Sequence, residues 1–423
     1  MPSSSAAFWS KNDPCNRGRI HRNLAVPRRN RNRRAIFSSR RSKERSVTRR
    51  IFALLGRRDA PTDAVEEYCL HLGEALTAHD FQLELRRVPW EVHGWPHSLD
   101  ALRLQAASWR GTWILAQYTA LAWSARGFSS RFLQALRILA SHGARIAIVF
   151  HDVEPFAGAR VIDRIRRNAQ VRTMRRALDF ADLAVFTVPI EKLSWPPQPP
   201  PGKAIFIPVG PNLPAGTLED SPASSAHTHT IPSVAVYSIT GGEAGARETR
   251  EIITAVRFAA EKLGKIRLCV FGRHAEVREN ALREGLAGLP VDLTVEGLLD
   301  DALVAQRMQS CDVLLFVRGG ISSRRGSAIA GIACGIPVIA SESSETAPPI
   351  TDAGVILLPP REESGLYQQK MNEALLRVLS DSALRAELAA KSRTAYQDHF
   401  SWHAIAARFA AVLESESSTN SLS

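Results

Sequence analysis

Twice along the chain, short apolar runs alternate with helical patterns, and a stretch rich in proline, serine and threonine separates the two series. The first series is IFALLG (51–56), FQLEL (81–85), TWILAQY (112–118), RIAIVF (145–150), DLAVFTV (182–188) and KAIFIPV (203–209). The second is VAVYSI (234–239), IRLCVFG (266–272), VDLTVEG (291–297), DVLLFVR (312–318), PVIAS (337–341) and GVILLP (354–359). Runs that are apolar at consecutive positions suit strands buried on both faces. Helical periodicity lies between most of them: in DAVEEYCLHLGEALTAH (63–79), Val65, Cys69, Leu72 and Leu76 fall on one face. Strands alternating with helices require right-handed crossovers and parallel sheets. The expected fold is therefore α/β, with two doubly wound Rossmann-like domains facing across a cleft. The N-terminal domain spans 51–210, a linker 211–232, the C-terminal domain 233–400 and a closing helix 401–415. Further helices are expected at about 364–380 and 382–398. Ligands of such sheets bind beyond the C-terminal strand ends, so both halves line the cleft.

The charge is not spread evenly. Residues 1–50 hold 15 Lys and Arg against two acidic residues, whereas the rest of the chain holds 39 against 40. The excess positive charge thus belongs to one segment poor in apolar residues, which is expected to be disordered. A basic arm could touch nucleic acid or anionic lipid, and a transit peptide also fits its Arg- and Ser-rich composition. The reading favoured here is a mis-called start codon, because the folded pattern begins at Ile51; no Met occurs between Met1 and Met174. A nucleic-acid-binding function is disfavoured for the near-neutral remainder. No apolar stretch reaches the ~18–20 residues of a membrane span. The five cysteines (Cys15, Cys69, Cys269, Cys311, Cys334) show no metal-ligand spacing, which points to reduced thiols, a cytoplasmic compartment and no zinc site.

One connection carries unexpected charge. In RGGISSRRGSAIAGIACGIPVIAS (318–341), the strand DVLLFV leads into a polar loop, a helix of small residues, a Gly335–Pro337 stop and the next strand. Ser322, Ser323, Arg324, Arg325, Gly326 and Ser327 sit at the helix start, where free backbone N–H groups favour anions. Guanidinium and hydroxyl donors there suit a phosphate or diphosphate. A solvated Arg pair beside Ser caps is the plainer alternative.

Over about residues 50–415 the chain resembles the retaining GT-B glycosyltransferases of bacterial cell-surface polysaccharides, which include mannosyl- and rhamnosyltransferases. The resemblance rests on GIACGIPVIAS (331–341), VEGLLDDALVAQRMQSCDVLLFV (295–317), FSWHAIAARFAAVL (400–413) and HDVEPF (151–156). It implies a hexosyltransferase that moves sugar from a nucleotide-sugar to a glycan or glycolipid acceptor, without metal or other cofactor. A peripheral contact at the inner face of the membrane goes with such an acceptor. The chain departs from the family at Ser322 and Ala330, where two Glu are usual, and in SITGGEAGARE (238–248), where only Arg247 stands near the usual Lys.

The expected donor-side residues are Gly241, Gly242, Arg247, Arg273, Glu296, Ser322, Ser323, Gly326 and Ser327, with Arg324 and Arg325 holding the diphosphate. By the resemblance, His151 contacts the donor sugar or positions the acceptor hydroxyl. Asp59, Thr62, Tyr118, Asp152 and Glu154 are acceptor candidates, while Asp63 reads better as a helix cap with Glu66. Trp123 and Arg126 follow the third strand, where core packing is the commoner fate of Trp. His93, Trp95 and His97 read as loop residues. The alternatives to transfer are a nucleotide-sugar 2-epimerase and a nucleotide-sugar-binding protein without activity.

Overall fold

The apolar runs become strands, and the order of those strands decides where a ligand can sit. The computed structural model describes residues 48–59, 62–156, 158, 160–197, 202–214, 231–362 and 364–419. In the first half, β1 (Arg49–Leu55), β2 (Phe81–Arg87), β3 (Trp113–Tyr118), β4 (Arg145–Phe150), β5 (Leu183–Phe186) and β6 (Ala204–Phe206) form one sheet. Its order is β2-β1-β3-β4-β5-β6, with every pairing parallel. The second sheet contains β7 (Ser233–Tyr237), β8 (Ile266–Phe271), β9 (Val291–Val295), β10 (Val313–Gly320), β11 (Val338–Ser341) and β12 (Val355–Leu358). Its order, β12-β11-β10-β7-β8-β9, is also parallel throughout. The strand order reverses between β1 and β3 in the first sheet and between β7 and β10 in the second. A crevice opens at each such point.

The helices of the first half are α1 (Ala64–Leu76), α2 (Trp90–His93), α3 (Trp95–Ala106), α4 (Arg131–Ser141) and α5 (Val161–Leu178). The second half has α6 (Gly242–Leu263), α7 (Glu279–Gly285), α8 (Asp301–Gln309), α9 (Gly326–Ala333), α10 (Ser364–Ser380), α11 (Ser382–Ala395) and α12 (Trp402–Thr419). They cover both faces of the sheets. In β1, Ile51, Ala53 and Leu55 enter one apolar cluster and Phe52 and Leu54 another, which is why the run could be apolar without alternation. On α1, Cys69, Leu72 and Leu76 are buried as their spacing predicts. Asp63 caps that helix, its carboxylate accepting from the Val65 and Glu66 N–H groups.

Two boundaries differ from expectation. Strand β1 begins at Arg49, within the segment expected to be disordered, because the backbone ladder needs no apolar side chain. Arg49 pairs with Phe81 and Arg50 with Gln82, while the Arg50 side chain meets Glu84 at 3.0 Å. The helix expected over 382–398 ends at Ala395 and passes through a π-turn, Tyr396–Phe400, into α12. Residues 1–47, and 215–230 of the expected linker, lie outside the described residues.

Helix α12 returns to the first half. The Trp402 indole N–H donates to the Leu213 carbonyl at 3.0 Å, and its ring packs 5.5 Å from that of Tyr68. The Trp113 indole N–H donates to the Leu413 carbonyl at 3.2 Å. One apolar cluster consequently runs from β1 and α1 through Trp402 to β10 and α9, and Val47–Ser423 is one compact unit.

Candidate functional site

The cationic loop is built on a tightly packed strand–helix pair. A Cβ at Gly331 would lie 2.6 Å from a Leu314 methyl, so only glycine lets α9 approach β10 this closely. The chain leaves β10 after Gly320 and turns through Ser322–Arg325, whose N–H closes on the Ser322 carbonyl at 3.0 Å. Gly335, at φ +67, ends the following connection.

The two arginines have different fates. Arg324 forms a fork with Glu345, Nε to Oε2 and Nη2 to Oε1 both at 2.7 Å. The Ser322 hydroxyl donates to the same carboxylate at 3.0 Å. Burial alone would raise the Glu345 pKa, but the Arg324 hydrogen bonds and charge, followed by Ser322, hold it below the usual range. Arg325 has no such counterpart. Its Nε is buried without a hydrogen-bond partner, and so is the Nε of Arg318 on the last residues of β10. Burial, then the neighbouring Arg324 charge, lowers Arg325 to about 10, and burial lowers Arg318 as well. Both remain cations at neutral pH.

Arg318, Arg324 and Arg325 line a cavity of about 280 Å3 between the two halves. Glu67, Tyr68 and His71 of α1 face it from the first half, with His151 and Asp152 beyond β4. Gly326 and Ser327, the first residues of α9, also line it. Their N–H groups are at a helix start and have no intrahelical acceptor. Asn212 and Trp402 complete the wall. A Cβ at Gly326 would fall 1.9 Å from the Asn212 side-chain oxygen, so glycine keeps this part of the wall thin.

His151 is oriented by Gln117. The Gln117 amide NH2 donates to the Leu115 carbonyl at 3.0 Å, which leaves its oxygen to accept the His151 Nε2–H at 2.8 Å. The Tyr68 ring meets the imidazole edge to face at 4.8 Å. Burial, then the Arg324 charge, lowers the His151 pKa to about 4, so the ring is neutral at pH 7. Asp152 accepts from the Ala120 N–H at 2.7 Å, yet burial outweighs that bond and raises its carboxyl.

A second cavity, of about 230 Å3, lies at the reversal between β1 and β3. It is lined by Gly56, Arg57 and Asp59 after β1, Asp63 at the α1 cap, and Gln117, Thr119, Leu121 and Ala122 at the end of β3. Ala64, Val65 and Asp152 line both cavities. The two spaces therefore meet beside Asp152 and His151.

Several expected site residues sit elsewhere. Tyr118 is buried in the core, its hydroxyl 2.9 Å from that of Ser129 and its ring against Phe132 and Phe150, so it is no acceptor contact. Glu154 turns away to bind the Ser194 N–H and hydroxyl, at 2.9 and 3.0 Å. Ser322 and Ser323 point inward; the Ser323 hydroxyl donates to the Thr187 carbonyl at 2.7 Å. Their hydroxyls are committed within the protein. Arg273 spans the cleft instead of lining the cavity. It donates to the Thr62 carbonyl at 3.0 Å and to the Thr62 hydroxyl, and lies 3.9 Å from the Asp59 carboxylate. Arg247 is exposed beside Glu251 at 3.9 Å. Glu296 is gripped by Arg307 at 2.6 and 2.7 Å, a hydrogen bond that lowers its pKa. Gly241 and Gly242 begin α6, Gly242 with φ +65, and line neither cavity. Sequence reasoning missed Arg318, Glu345, Gln117 and Asn212. Only Arg318, at the C-terminal end of an apolar run, carried a usable signal.

No family model matches the sequence, and no curated protein matches it. Solved structures do. Sucrose-phosphate synthase from Thermosynechococcus elongatus superposes with a TM-score of 0.61 at 18% identity, over 88% of this chain and 100% of that one. HepE from Anabaena, in complex with UDP and glucose, gives 0.59 at 15% identity over 87% and 100%. WaaG, a glycosyltransferase involved in lipopolysaccharide biosynthesis, gives 0.52 at 15% identity over 86% and 99%. The chain has the GT-B fold. The likeness also extends to a Listeria monocytogenes structure described as a UDP-N-acetylglucosamine 2-epimerase, with a TM-score of 0.59 at 11% identity over 88% and 97%. Fold alone thus leaves more than one chemistry open. Among the described residues no helix is long and apolar enough to cross a membrane, and no cluster of His, Cys, Asp and Glu could hold a metal ion.

Proposed function

We propose that the protein is a glycosyltransferase that takes a nucleotide-sugar in the cavity between its halves and passes the sugar to an acceptor hydroxyl in the adjoining pocket. One observation carries this reading: two guanidinium groups, Arg318 and Arg325, stand half-buried at the cavity, each with a buried Nε that has no hydrogen-bond partner. A buried cation without a counterion is costly, and a diphosphate that brings two anionic acceptors relieves that cost. The first N–H groups of α9 add dipolar attraction on the same side.

The chemistry follows from that placement. As the bond from anomeric carbon to diphosphate oxygen breaks, negative charge collects on the departing diphosphate, next to Arg318 and Arg325. Charge stabilisation at that position favours the transition state over the ground state. Arg324, neutralised by Glu345, shapes the site rather than adding net charge. The sugar then lies toward His151 and Asp152, where the two cavities join. The acceptor occupies the pocket of Asp59, Gln117 and Thr119, whose polar groups suit a polyhydroxyl ligand. A neutral His151, held by Gln117, positions a hydroxyl; with a pKa near 4 it is a weak base. In this reading transfer retains the anomeric configuration, uses arginine in place of a metal to offset the diphosphate, and serves a glycan or glycolipid acceptor.

The 2-epimerase-like neighbour supplies a second reading for the same cavity. Incubation with UDP-, GDP- and dTDP-sugars, with products resolved by mass and by NMR, separates the two. Transfer to an added glycan, or slow release of free sugar with nucleotide diphosphate, supports the proposal. A C2-epimerised nucleotide-sugar as the product refutes it.

A further inference from the structure

The segment HGWPHS, read from the sequence as a loop, instead joins two helices. His93 ends α2, Trp95 opens α3, and Gly94 between them turns at φ +73. The Trp90 and Trp95 indoles lie face to face, 5.0 Å apart and 5° from parallel. Trp95 also meets the buried Trp123 at 6.5 Å and the Arg131 guanidinium at 6.0 Å, and it packs against the apolar cluster of the first half. Trp90 belongs to no apolar cluster among the described residues, yet it is fixed in place. Its indole N–H donates to the Ala122 carbonyl at 2.8 Å, the oxygen that also accepts the Arg57 N–H at 2.9 Å. One face of this half-buried ring is taken by Trp95 and its N–H edge by Ala122. The exposure it keeps therefore falls on the opposite face and the far edge. Among the described residues no other aromatic ring or cation stands against it.

We propose that the open face of Trp90 is a platform for a sugar ring, so that the acceptor is an oligosaccharide. Its end residue enters the pocket of Asp59, Gln117 and Thr119, and the preceding residue stacks on the indole. This rests on the reading that the pocket takes the acceptor. Ala122 belongs to the pocket wall, so the platform starts where the pocket stops. At about 230 Å3 the pocket lies below the size that encloses a drug-sized ligand and suits one sugar ring. A pyranose presents C–H bonds on one face, and their partial positive charge meets the negative face of an indole. Its hydroxyls point sideways, and His93, exposed three residues beyond Trp90 on the same helix, offers a partner there. The indole is already immobilised by Trp95 and Ala122, so stacking costs little side-chain freedom. A nucleobase would also stack on an indole, but the cations suited to a nucleotide, Arg318 and Arg325, line the other cavity.

The test is a glycan array of linear mono- to tetrasaccharides of glucose, galactose, mannose, rhamnose and N-acetylglucosamine. It is probed with the full chain, alone and with UDP present, and the soluble sugars that bind are then titrated by calorimetry. Parent, W90A, W90F and D59N are compared. An oligosaccharide should bind the parent more tightly than its terminal monosaccharide does. W90A should lose ~10-fold for the oligosaccharide and nothing for the monosaccharide. W90F keeps an aromatic face without the N–H and should stay within ~3-fold of the parent. W90L, which fills the space without a π face, replaces W90A should that variant melt early. Parental oligosaccharide binding by W90A would overturn the proposal. So would an equal loss of monosaccharide and oligosaccharide, which makes Trp90 a strut for Ala122, or a loss of uridine binding, which makes it a base platform. An array on which no oligosaccharide binds the parent would overturn it too. D59N reports on the pocket alone. Should it bind both sugars like the parent while W90A still loses the oligosaccharide, the platform stands and the pocket assignment falls.

Discussion

Replacing Glu345 with alanine removes the one carboxylate that, among the described residues, Arg324 contacts within hydrogen-bond distance. The side chains are 22% and 10% exposed, so water replaces the lost partner poorly. Breaking one side of such a pair costs about 3–5 kcal/mol, because the remaining charge is stranded. Here it is stranded beside Arg325, a second cation. A unit of this length has an unfolding entropy of roughly 0.8 kcal/mol/K, so the melting temperature should fall by about 4–6 °C. E345Q keeps acceptor geometry but loses the charge, and should fall by less. Adding R324M to E345A removes the stranded cation and should restore at least half of the loss, as the coupling of contacting residues requires. The sign of the pH effect is fixed as well. Glu345 is depressed when folded, so its contribution is complete above the ordinary carboxylate pKa and is lost as pH falls through its folded value. The deficit of E345A should shrink below about pH 4. Calorimetric melting of the four proteins at pH 7 and at about pH 3 is the assay. A loss under ~1 kcal/mol in E345A, with no recovery in the double variant, would mean a solvated pair and refute the reasoning.

His151 is neutral in the folded chain down to about pH 4 but titrates near 6.5 when unfolded, so folding should weaken as pH drops between those values, by up to about 3 kcal/mol. H151N should show a flatter melting profile over pH 4–6.5, and an unchanged slope would remove the group from the acid response. Y118F deletes the buried hydroxyl that meets Ser129 and should cost about 1 kcal/mol in thermal melts, with turnover unchanged because the ring lies in the core. A Cβ at Gly210 would stand 2.6 Å from the buried Trp402 indole, so G210A should destabilise by about 1–3 kcal/mol, read by denaturant titration.

The central strands were legible because they are covered on both faces, which makes their sequence apolar at consecutive positions, whereas the edge strands β2 and β9 are only partly covered and carry Gln82, Glu84 and Asp292. The strand order was not, since nothing in VAVYSI says it lies beside DVLLFVR. The site was half legible for the same reason. Arg325, Gly326 and Ser327 are local to one loop and could be placed at a helix start. Glu345 reaches Ser322 and Arg324 from beyond β11, and Gln117 reaches His151 from a different strand. Such contacts come from tertiary packing, which leaves no spacing in the chain. Tyr118 went astray because a strand's last residue can face core or cleft, and only the packing of Phe132 and Phe150 decides. Arg273 and Arg324 were expected to bind the donor, but a cationic residue near a cleft can be engaged by protein partners instead: Arg273 bonds Thr62 and Arg324 bonds Glu345.

The central claim is that Arg318 and Arg325 bind a diphosphate, and calorimetric titration tests it directly. UDP, GDP and dTDP are titrated in turn into the parent protein, R318A and R325A, with the corresponding nucleosides as controls. Charge-assisted bonds to phosphate are worth about 1.5–3 kcal/mol each, so the nucleotide that binds the parent should bind each variant roughly ten- to a hundredfold more weakly. Lysine at either position should rescue only in part, because a point charge lacks the guanidinium fork. The nucleosides, without phosphates, should bind all three proteins alike. Parental diphosphate affinity in both R318A and R325A would contradict the account and move the donor site elsewhere in the cleft.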